Sequence, residues 1–493
     1  MKKGFRLLCL LLALFMLSAS LVGCNEDGGV VTETEEEDDE LDYFPDVDKK
    51  NYETEFSVYM MPINNFSEYY ILEESDGSPM DEAVYNRQER VKRYLGVDMV
   101  HKVDNSLDTA WQTYISILTT AVMNKDGTLE AMLSHYNGGI PALITENYLK
   151  DFNDIPAIDL DAEYWNREFM DSIELKGYKY LGFGDCNILF TFLISFNKSM
   201  YDQYADSEVI GGKSLYDMVR DNEWTLDKMI SIANLVYVDK TGDGKTEDDI
   251  FGYSAAAWEP YRSFIQSCGM NVMEQDESGS YKVVLNEERY AAKVDVIIGL
   301  LAELSKSDCA WVEYGWNDKG LSLTTGRVLL SIQDTIHLPE YLDYNVEFGV
   351  LPLPMYDTAQ GETCGYRSLQ YGGYICVPSY VKDEVMVGET LEMYNFYSEN
   401  VKITFYEKVL GKQVADMPDD AEMLDIIWDS VCTEVGFTYG TTSTIDASGG
   451  NSVSGCIVRL SDPKSTDGGL SSWFAKFVAP AQNGFDKFYK SIK

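Results

Sequence analysis

Between residues 239 and 249 the chain sets oxygen-bearing side chains at alternate positions: Asp239, Thr241, Asp243, Glu247 and Asp249, with Gly244 among them. Counted from Asp239, the first four fall at positions one, three, five and nine of an EF-hand-like loop. There, alternating side chains converge on a hard cation and the glycine permits the sharp turn. Lys245, at position seven, would contribute only its backbone carbonyl. The cation for such a loop is Ca2+, held as a structural clip. The pattern then departs, because position twelve is Ile250 and the closing carboxylate, Asp249, comes one residue early. Thr241 in place of Asp or Asn also lowers the ligand charge. The competing reading is a solvated tight turn, Thr241-Gly-Asp-Gly, between a helix and the strand at Phe251.

Other reactive patterns fail on spacing. His101, His135 and His337 stand far apart, with none in a zinc-hydrolase arrangement. Gly211-Gly212-Lys213-Ser214 matches the end of a phosphate loop, yet the first glycine of that pattern falls at Ser207. No nucleophile elbow is present, and a glycosidase carboxylate pair has no signature among the 82 acidic residues. Against those acids stand 39 basic residues, a net charge of -43, which repels polyphosphate and so excludes nucleic acid as a partner.

Lys2, Lys3 and Arg6 precede an apolar run, Leu7 to Leu21, that is too short to span a bilayer. This is the pattern of an export signal. It ends in Leu21-Val22-Gly23-Cys24, which resembles the bacterial lipobox, with Cys24 as the lipidated thiol. The mature chain is then expected outside the cell, meeting the membrane only through its lipid anchor. From Asn25 to Asp48 there are twelve acidic residues and no basic one, so this stretch reads as an extended, solvated tether. Seven cysteines remain, an odd and widely spaced set that reads as buried thiols, with Cys364–Cys376 the one pairing left open.

These groups must be held by folded elements. Phe56-Ser-Val-Tyr-Met-Met suits a buried strand. A helix follows, capped by Ser78, started by Pro79, lined by Ala83, Val84, Val91, Tyr94 and Leu95, and ended at Gly96. Strand-like Val97 to Val100 and a helix through Trp111, Ile115 and Leu118 come next. Downstream, Asn286–Leu304 reads as a helix, Gly326–Ile332 and Glu347–Pro354 as strands, and Gly388–Asn400 as a helix. This alternation predicts an α/β architecture with mostly parallel sheets flanked by helices, in two lobes. In such sheets ligands gather beyond the carboxyl ends of strands, which selects Asn64 and Asn65, Tyr136 and Asn137, and Gln333 and Asp334.

Several ordered segments carry a family resemblance. They are Ala83-Val-Tyr-Asn-Arg-Gln-Glu-Arg-Val, Ser195-Phe-Asn-Lys, Asn222-Glu-Trp-Thr-Leu-Asp-Lys, Asp239 to Gly252, Gly349-Val-Leu-Pro-Leu-Pro-Met-Tyr to Gln360, and Glu422-Met-Leu-Asp-Ile-Ile. Behind a lipobox and in this order, they resemble the family 1 extracellular solute-binding lipoproteins of bacterial ABC importers. These form the maltose-binding-protein-like cluster, here in its Gram-positive form. The resemblance implies a class II periplasmic-binding-protein-like fold whose lobes are joined by several hinge crossings, near Leu189 to Ser195, near Ser368 to Tyr374 and after Ser430. The divisions implied are 1–23 signal, 24–53 disordered tether, 54–190 with 371–430 as one lobe, and 191–370 with 431–493 as the other.

The implied function is capture of a carbohydrate, an oligosaccharide, and its delivery to ABC transporter permease subunits. It is carried out by a monomer with no catalytic step and no required cofactor. Sugar rings call for aromatic platforms flanked by amides, carboxylates or Arg, and the chain has 34 Tyr, 21 Phe and 8 Trp. The resemblance adds Trp258 with Glu259, Tyr366, Arg367 and Tyr371 near the second crossing, and Trp316 to the candidate contacts. Trp224, ahead of Thr225 as a helix cap, reads as structural. A surface glycan-degrading enzyme and a glycan-tethering lipoprotein are the alternatives.

Overall fold

The computed structural model describes residues 45–60, 69–102, 110–125, 127–187, 189–257, 259–314, 320–343, 346–410, 418–440 and 451–492. The lipobox Cys24, and the candidates Asn64, Asn65, Trp258 and Trp316, lie outside these residues, as does the side chain of Glu259. A compact body begins at Pro45.

The first long helix, Pro79–Leu95, forms as its ends dictate. Ser78 accepts from the Asp81 amide at 3.3 Å, and Gly96 closes the helix in left-handed backbone at φ 68. Its buried face holds Met80, Ala83, Val84, Arg87, Gln88, Val91 and Leu95. That face packs beside a sheet whose strands β1 (Thr54–Tyr59), β2 (Val97–Lys102) and β3 (Ala131–His135) run parallel, with β1 in the middle. Helices in the βαβ crossovers cover the sheet, so Phe56, Val58, Val97, Met99 and Met132 are buried.

The second sheet is built from β4 (Phe192–Asn197), β5 (Tyr237–Val238), β6 (Ile250–Ala256), β9 (Ala310–Glu313), β10 (Val328–Asp334) and β11 (Phe348–Leu351). Between β6 and β9 lies a separate hairpin of β7 (Met273–Gln275) and β8 (Tyr281–Val283). This sheet is mixed, where the alternation predicted a mostly parallel one. β6 runs parallel to β10 and β9, but β4 is antiparallel to both β10 and β11. The entering crossing strand thus points against its neighbours. Gly252 is required here by packing, since a Cβ on it would stand 1.8 Å from the Ala233 carbonyl oxygen of the covering helix.

β12 (Ser368–Leu369) leads to β13 (Gly372–Cys376), which returns to the first sheet antiparallel to β3. β14 (Val431–Cys432) pairs parallel with β12. Two expected boundaries shift. Helix Pro418–Asp429 packs on β11, and Asp420 within it pairs with Lys198. The chain has therefore already returned to the second lobe before Ser430, because its acidic first turn finds basic partners there, Arg220 included. At the other end, residues from Pro45 dock on the first lobe. Val47 is buried, Tyr52 donates to Glu389 at 2.7 Å, and the Lys50 and Tyr52 amides bond the carbonyls of Tyr94 and Leu95. The last part of the acidic stretch is therefore ordered by apolar anchors and one buried carboxylate. The final helix, Leu470–Ser491, reaches both the β7–β8 hairpin and helix Ile140–Thr145. Among the described residues no helix is long and apolar enough to cross a membrane.

Candidate functional site

The two sheets meet where Leu189–Phe192 and Gln370–Tyr371 run side by side. Tyr371 donates its amide to the Phe190 carbonyl at 3.1 Å, and Tyr136, just past the end of β3, donates to the Tyr371 carbonyl at 3.2 Å. Beneath them Gln370, fully buried, donates to the carbonyls of Leu189 and Gly372, both at 2.6 Å, and accepts from the Thr191 hydroxyl. Thr191 in turn exchanges bonds with Thr335, directly after β10. One glutamine thus ties two crossings and the carboxyl end of β10 into a single network.

Three of the sequence candidates converge on this junction. The Tyr371 hydroxyl donates to Asp334 at 2.5 Å, linking a crossing segment to the end of β10. Its ring stacks on Phe192 at 4.7 Å and meets Phe190 and His135 edge-on, both at 5.2 Å. Tyr136 lies at 4.5 Å from His135 and 4.8 Å from Phe437. The arrangement is an aromatic floor with a carboxylate at its edge. All three are nearly buried, Tyr136 at 1%, Tyr371 at 6% and Asp334 at 8% exposure, so they form the floor and its support more than an open platform. Asn137 and Gln333 are half-buried at the rim, with the Gln333 amide donating to Ser331 at 3.0 Å.

His135 is buried, and burial holds its imidazole far below the usual value, at about 3. It is neutral, with Nδ1 accepting from the Asn137 amide at 3.1 Å. It therefore shapes the rim loop and brings no charge. His135, Thr191, Thr335 and Gln370 went unselected from sequence. The signal available was position alone, since Thr191 and Gln370 lie inside the expected crossings.

Tyr366 and Arg367 do not join this group. Tyr366 donates to the Val219 carbonyl at 3.0 Å, and Arg367 to the Met270 carbonyl and Asn271 Oδ1 at 3.3 and 3.0 Å. Both are spent fastening a loop within the second lobe, because they precede β12 on its far side from Tyr371. Trp224 is structural as expected, fully buried and donating to the Pro352 carbonyl at 2.9 Å.

In the 239–249 loop the side chains turn inward. Asp239 accepts from the amides of Thr241, Gly242 and Gly244, and Asp249 from those of Lys240 and Thr246. These amides, Thr246 first, hold the Asp249 carboxyl below its ordinary range. Thr241 bonds Asp243, and the Lys245 amine reaches the Ser307 carbonyl. Among the described residues no group of three or more Asp, Glu, His or Cys side chains is spaced to hold a metal ion. The donors as arranged close a turn on itself and do not fit a cation cage.

Two sheets of mixed strand direction flanked by helices and joined at paired crossings, with strand ends facing the junction, make a recognisable architecture. The chain superposes on a cyclic α-maltosyl-1,6-maltose binding protein from Arthrobacter globiformis with a TM-score of 0.55, at 13% identity over 87% of this chain and 99% of that one. It matches the maltose/maltodextrin-binding domain MalE from Bdellovibrio bacteriovorus bound to maltotriose at 0.53, with 14% identity over 88% and 100%. An ABC substrate-binding protein from Listeria monocytogenes in complex with cycloalternan matches at 0.52, with 14% identity over 89% and 99%. The fold is that of ABC solute-binding proteins. No family model and no curated protein matches the sequence. Tyr136, Asn137, Gln333, Asp334 and Tyr371 lie at strand ends beside the junction of the two sheets, and Tyr366 and Arg367 lie away from it.

Proposed function

We propose that this chain is the solute-binding subunit of an ABC importer and that it captures a carbohydrate, an oligosaccharide, between its lobes. The observation that carries this reading is the junction itself. The carboxyl ends of β3 and β10, one from each sheet, meet at an aromatic floor edged by Asp334, and solved proteins of the same fold are described with bound oligosaccharides. Aromatic faces suit the C–H faces of sugar rings, and the rim amides of Asn137 and Gln333 suit hydroxyls. Asn64, Asn65, Trp258, Glu259 and Trp316 belong to the same proposal as further sugar contacts.

The work is binding and closure, with no bond made or broken. A ligand touching both lobes stabilises the closed state by its differential affinity. In this reading Cys24 carries the lipid, the acidic tether spaces the body from the membrane on the outer face, and the protein serves the permease as a monomer. No cofactor takes part. A calcium ion in the 239–249 loop would be a structural addition, and its binding would have to displace the amide bonds now made by Asp239 and Asp249.

Thermal-shift screening of the mature protein against mono- and oligosaccharides tests the reading. A stabilising shift with an oligosaccharide supports it. A full sugar panel without a shift, together with a shift from peptides, replaces the substrate class.

A further inference from the structure

From Leu470 to Ile492 the chain carries three lysines and a single carboxylate, Asp486, in a protein whose 82 acidic residues outnumber its 39 basic ones. The final helix, Leu470–Ser491, buries one face through Trp473, Phe477, Phe485 and Phe488. On the exposed face stand Lys476, Lys487 and Lys490, with Ala479, Pro480 and Asn483 between them. At 3.6 residues per turn the three lysines fall within an arc of about 60°, along about 21 Å of helix axis. None of them has an ion-pair partner among the described residues. A fourth cation joins the row at its far end. Lys176, exposed in the turn between Leu175 and Tyr178, donates to the Ile492 carbonyl at 2.6 Å and stands 5.1 Å from the Tyr489 ring. The acids beside the row are occupied: Asp486 accepts from Gln482 at 2.8 Å, and Glu174 pairs with Lys179 at 2.7 Å. The negative end of the helix dipole accounts for Lys487 and Lys490. It does not account for Lys476, in the first half of the helix, or for Lys176, which arrives from another segment.

We propose that this lysine row is a docking surface for the anionic phospholipid headgroups of the membrane to which the chain is anchored, and that it turns one side of the body toward the bilayer. The inference rests on the anchored reading above and adds a second membrane contact to the anchor. A headgroup layer fits the row better than an acidic protein does. Lysine is depleted in protein interfaces, whose affinity comes from buried aromatic and Arg anchors, and the exposed positions of this row offer none. A row of one sign along one helix face matches a flat layer of phosphates.

The net charge of -43 does not cancel the attraction. At physiological salt a charge acts over about 8 Å, so the surface meets the row and not the distant acids. Each lysine at an anionic surface contributes about fivefold to partition, and three contribute about a hundredfold. That is too little to recruit a protein free in solution. Residues 25–44 join Cys24 to the body, and a short flexible tether supplies an effective concentration of about millimolar. Attachment therefore comes from the anchor, and orientation from the row.

The test attaches the lipid-free chain from Asn25 onward, through an N-terminal histidine tag, to vesicles bearing a nickel-chelating lipid in phosphatidylcholine, with or without phosphatidylglycerol. Lysines are acylated with an N-hydroxysuccinimide ester, and each is quantified by peptide mass. With phosphatidylglycerol, labelling of Lys476, Lys487 and Lys490 should slow about fivefold. Raising salt to 1 M, where screening shortens to about 3 Å, should restore it. Lys176 should be protected with them, and K476E/K487E/K490E, whose exposed sites leave Tm unchanged, should lose that protection. Equal labelling on both vesicles overturns the proposal, as does protection of a different set of lysines. Protection by soluble polyglutamate but not by phosphatidylglycerol also overturns it, in favour of an acidic protein. Because the tag supplies the attachment, no outcome depends on the sugar reading or on lipidation of Cys24, which is read separately from the mass of the amino-terminal peptide of membrane-extracted protein.

Discussion

Glu392 is a carboxyl group buried inside the first lobe at 1% exposure, on a helix that is itself enclosed. The Tyr164 hydroxyl donates to one of its oxygens and the Trp165 indole to the other at 2.7 Å. These donors favour the ionised form, but burial outweighs them and pushes the group from 4.5 up to about 7. The sign follows directly. Between pH 4.5 and about 7 the folded protein holds a proton that the unfolded chain has released, so stability contributed by this group is full below 4.5 and is lost as pH rises through 7. At about 1.4 kcal/mol per pH unit the loss amounts to about 3 kcal/mol. For a body of roughly 450 residues unfolding as one unit, that is a fall in Tm of about 3 °C. E392Q keeps a donor and an acceptor in the same place and removes the titration. Calorimetric melts of wild type and E392Q from pH 4 to 8 give the measurement. The difference curve should slope against the wild type as pH rises, levelling above 7. A flat difference curve, or one that favours wild type at higher pH, refutes the reasoning.

The other predictions concern the junction, the core and the loop. Y371F removes the donor to Asp334 and leaves a nearly buried carboxylate less satisfied, which should cost about 1.5–3 kcal/mol in denaturant melts; a loss under about 0.5 kcal/mol would remove the bond from the account. His135, held at about 3 by burial, contributes stability that is present above pH 6.5 and lost as pH falls toward 3, on the order of 5 kcal/mol. H135Q, which cannot charge, should therefore lose less stability than wild type over that acid range, and equal losses would contradict it. G252A forces a Cβ against the Ala233 carbonyl and should cost more than about 3 kcal/mol or abolish soluble expression; a normal Tm would show that the helix can shift. Calcium should bind the 239–249 loop no tighter than about millimolar, since amide bonds must first be displaced. A submillimolar Kd by calorimetry, abolished by D243A, would prove the inward arrangement exchangeable.

Local chemistry was legible along the chain because its causes are local. Ser78, Pro79 and Gly96 mark their helix by capping and backbone preference, and Thr225 marks the start of the helix Leu226–Ala233 by the same rules. The alternation of strands and helices indicated two α/β lobes. Direction was harder to read. Tyr366, Arg367 and Tyr371 are near neighbours in sequence, but β12 lies between them. Only the last faces the junction, while Arg367 is drawn to Asn271. The Asp239 loop has the composition of a cation site, yet three backbone amides five residues or fewer away compete for its carboxylate and win locally. The second sheet is mixed because β4 enters from the other lobe, a consequence of connectivity that no residue of β4 announces. The meeting of Thr191 with Gln370 spans 179 positions, and that of Tyr371 with Asp334 spans 37. The chain specifies by itself what neighbours within a few residues can decide through caps, turns and periodicity. Which distant side chains share one buried space is decided only when both lobes have folded, because burial and long-range hydrogen bonding are properties of the packed whole.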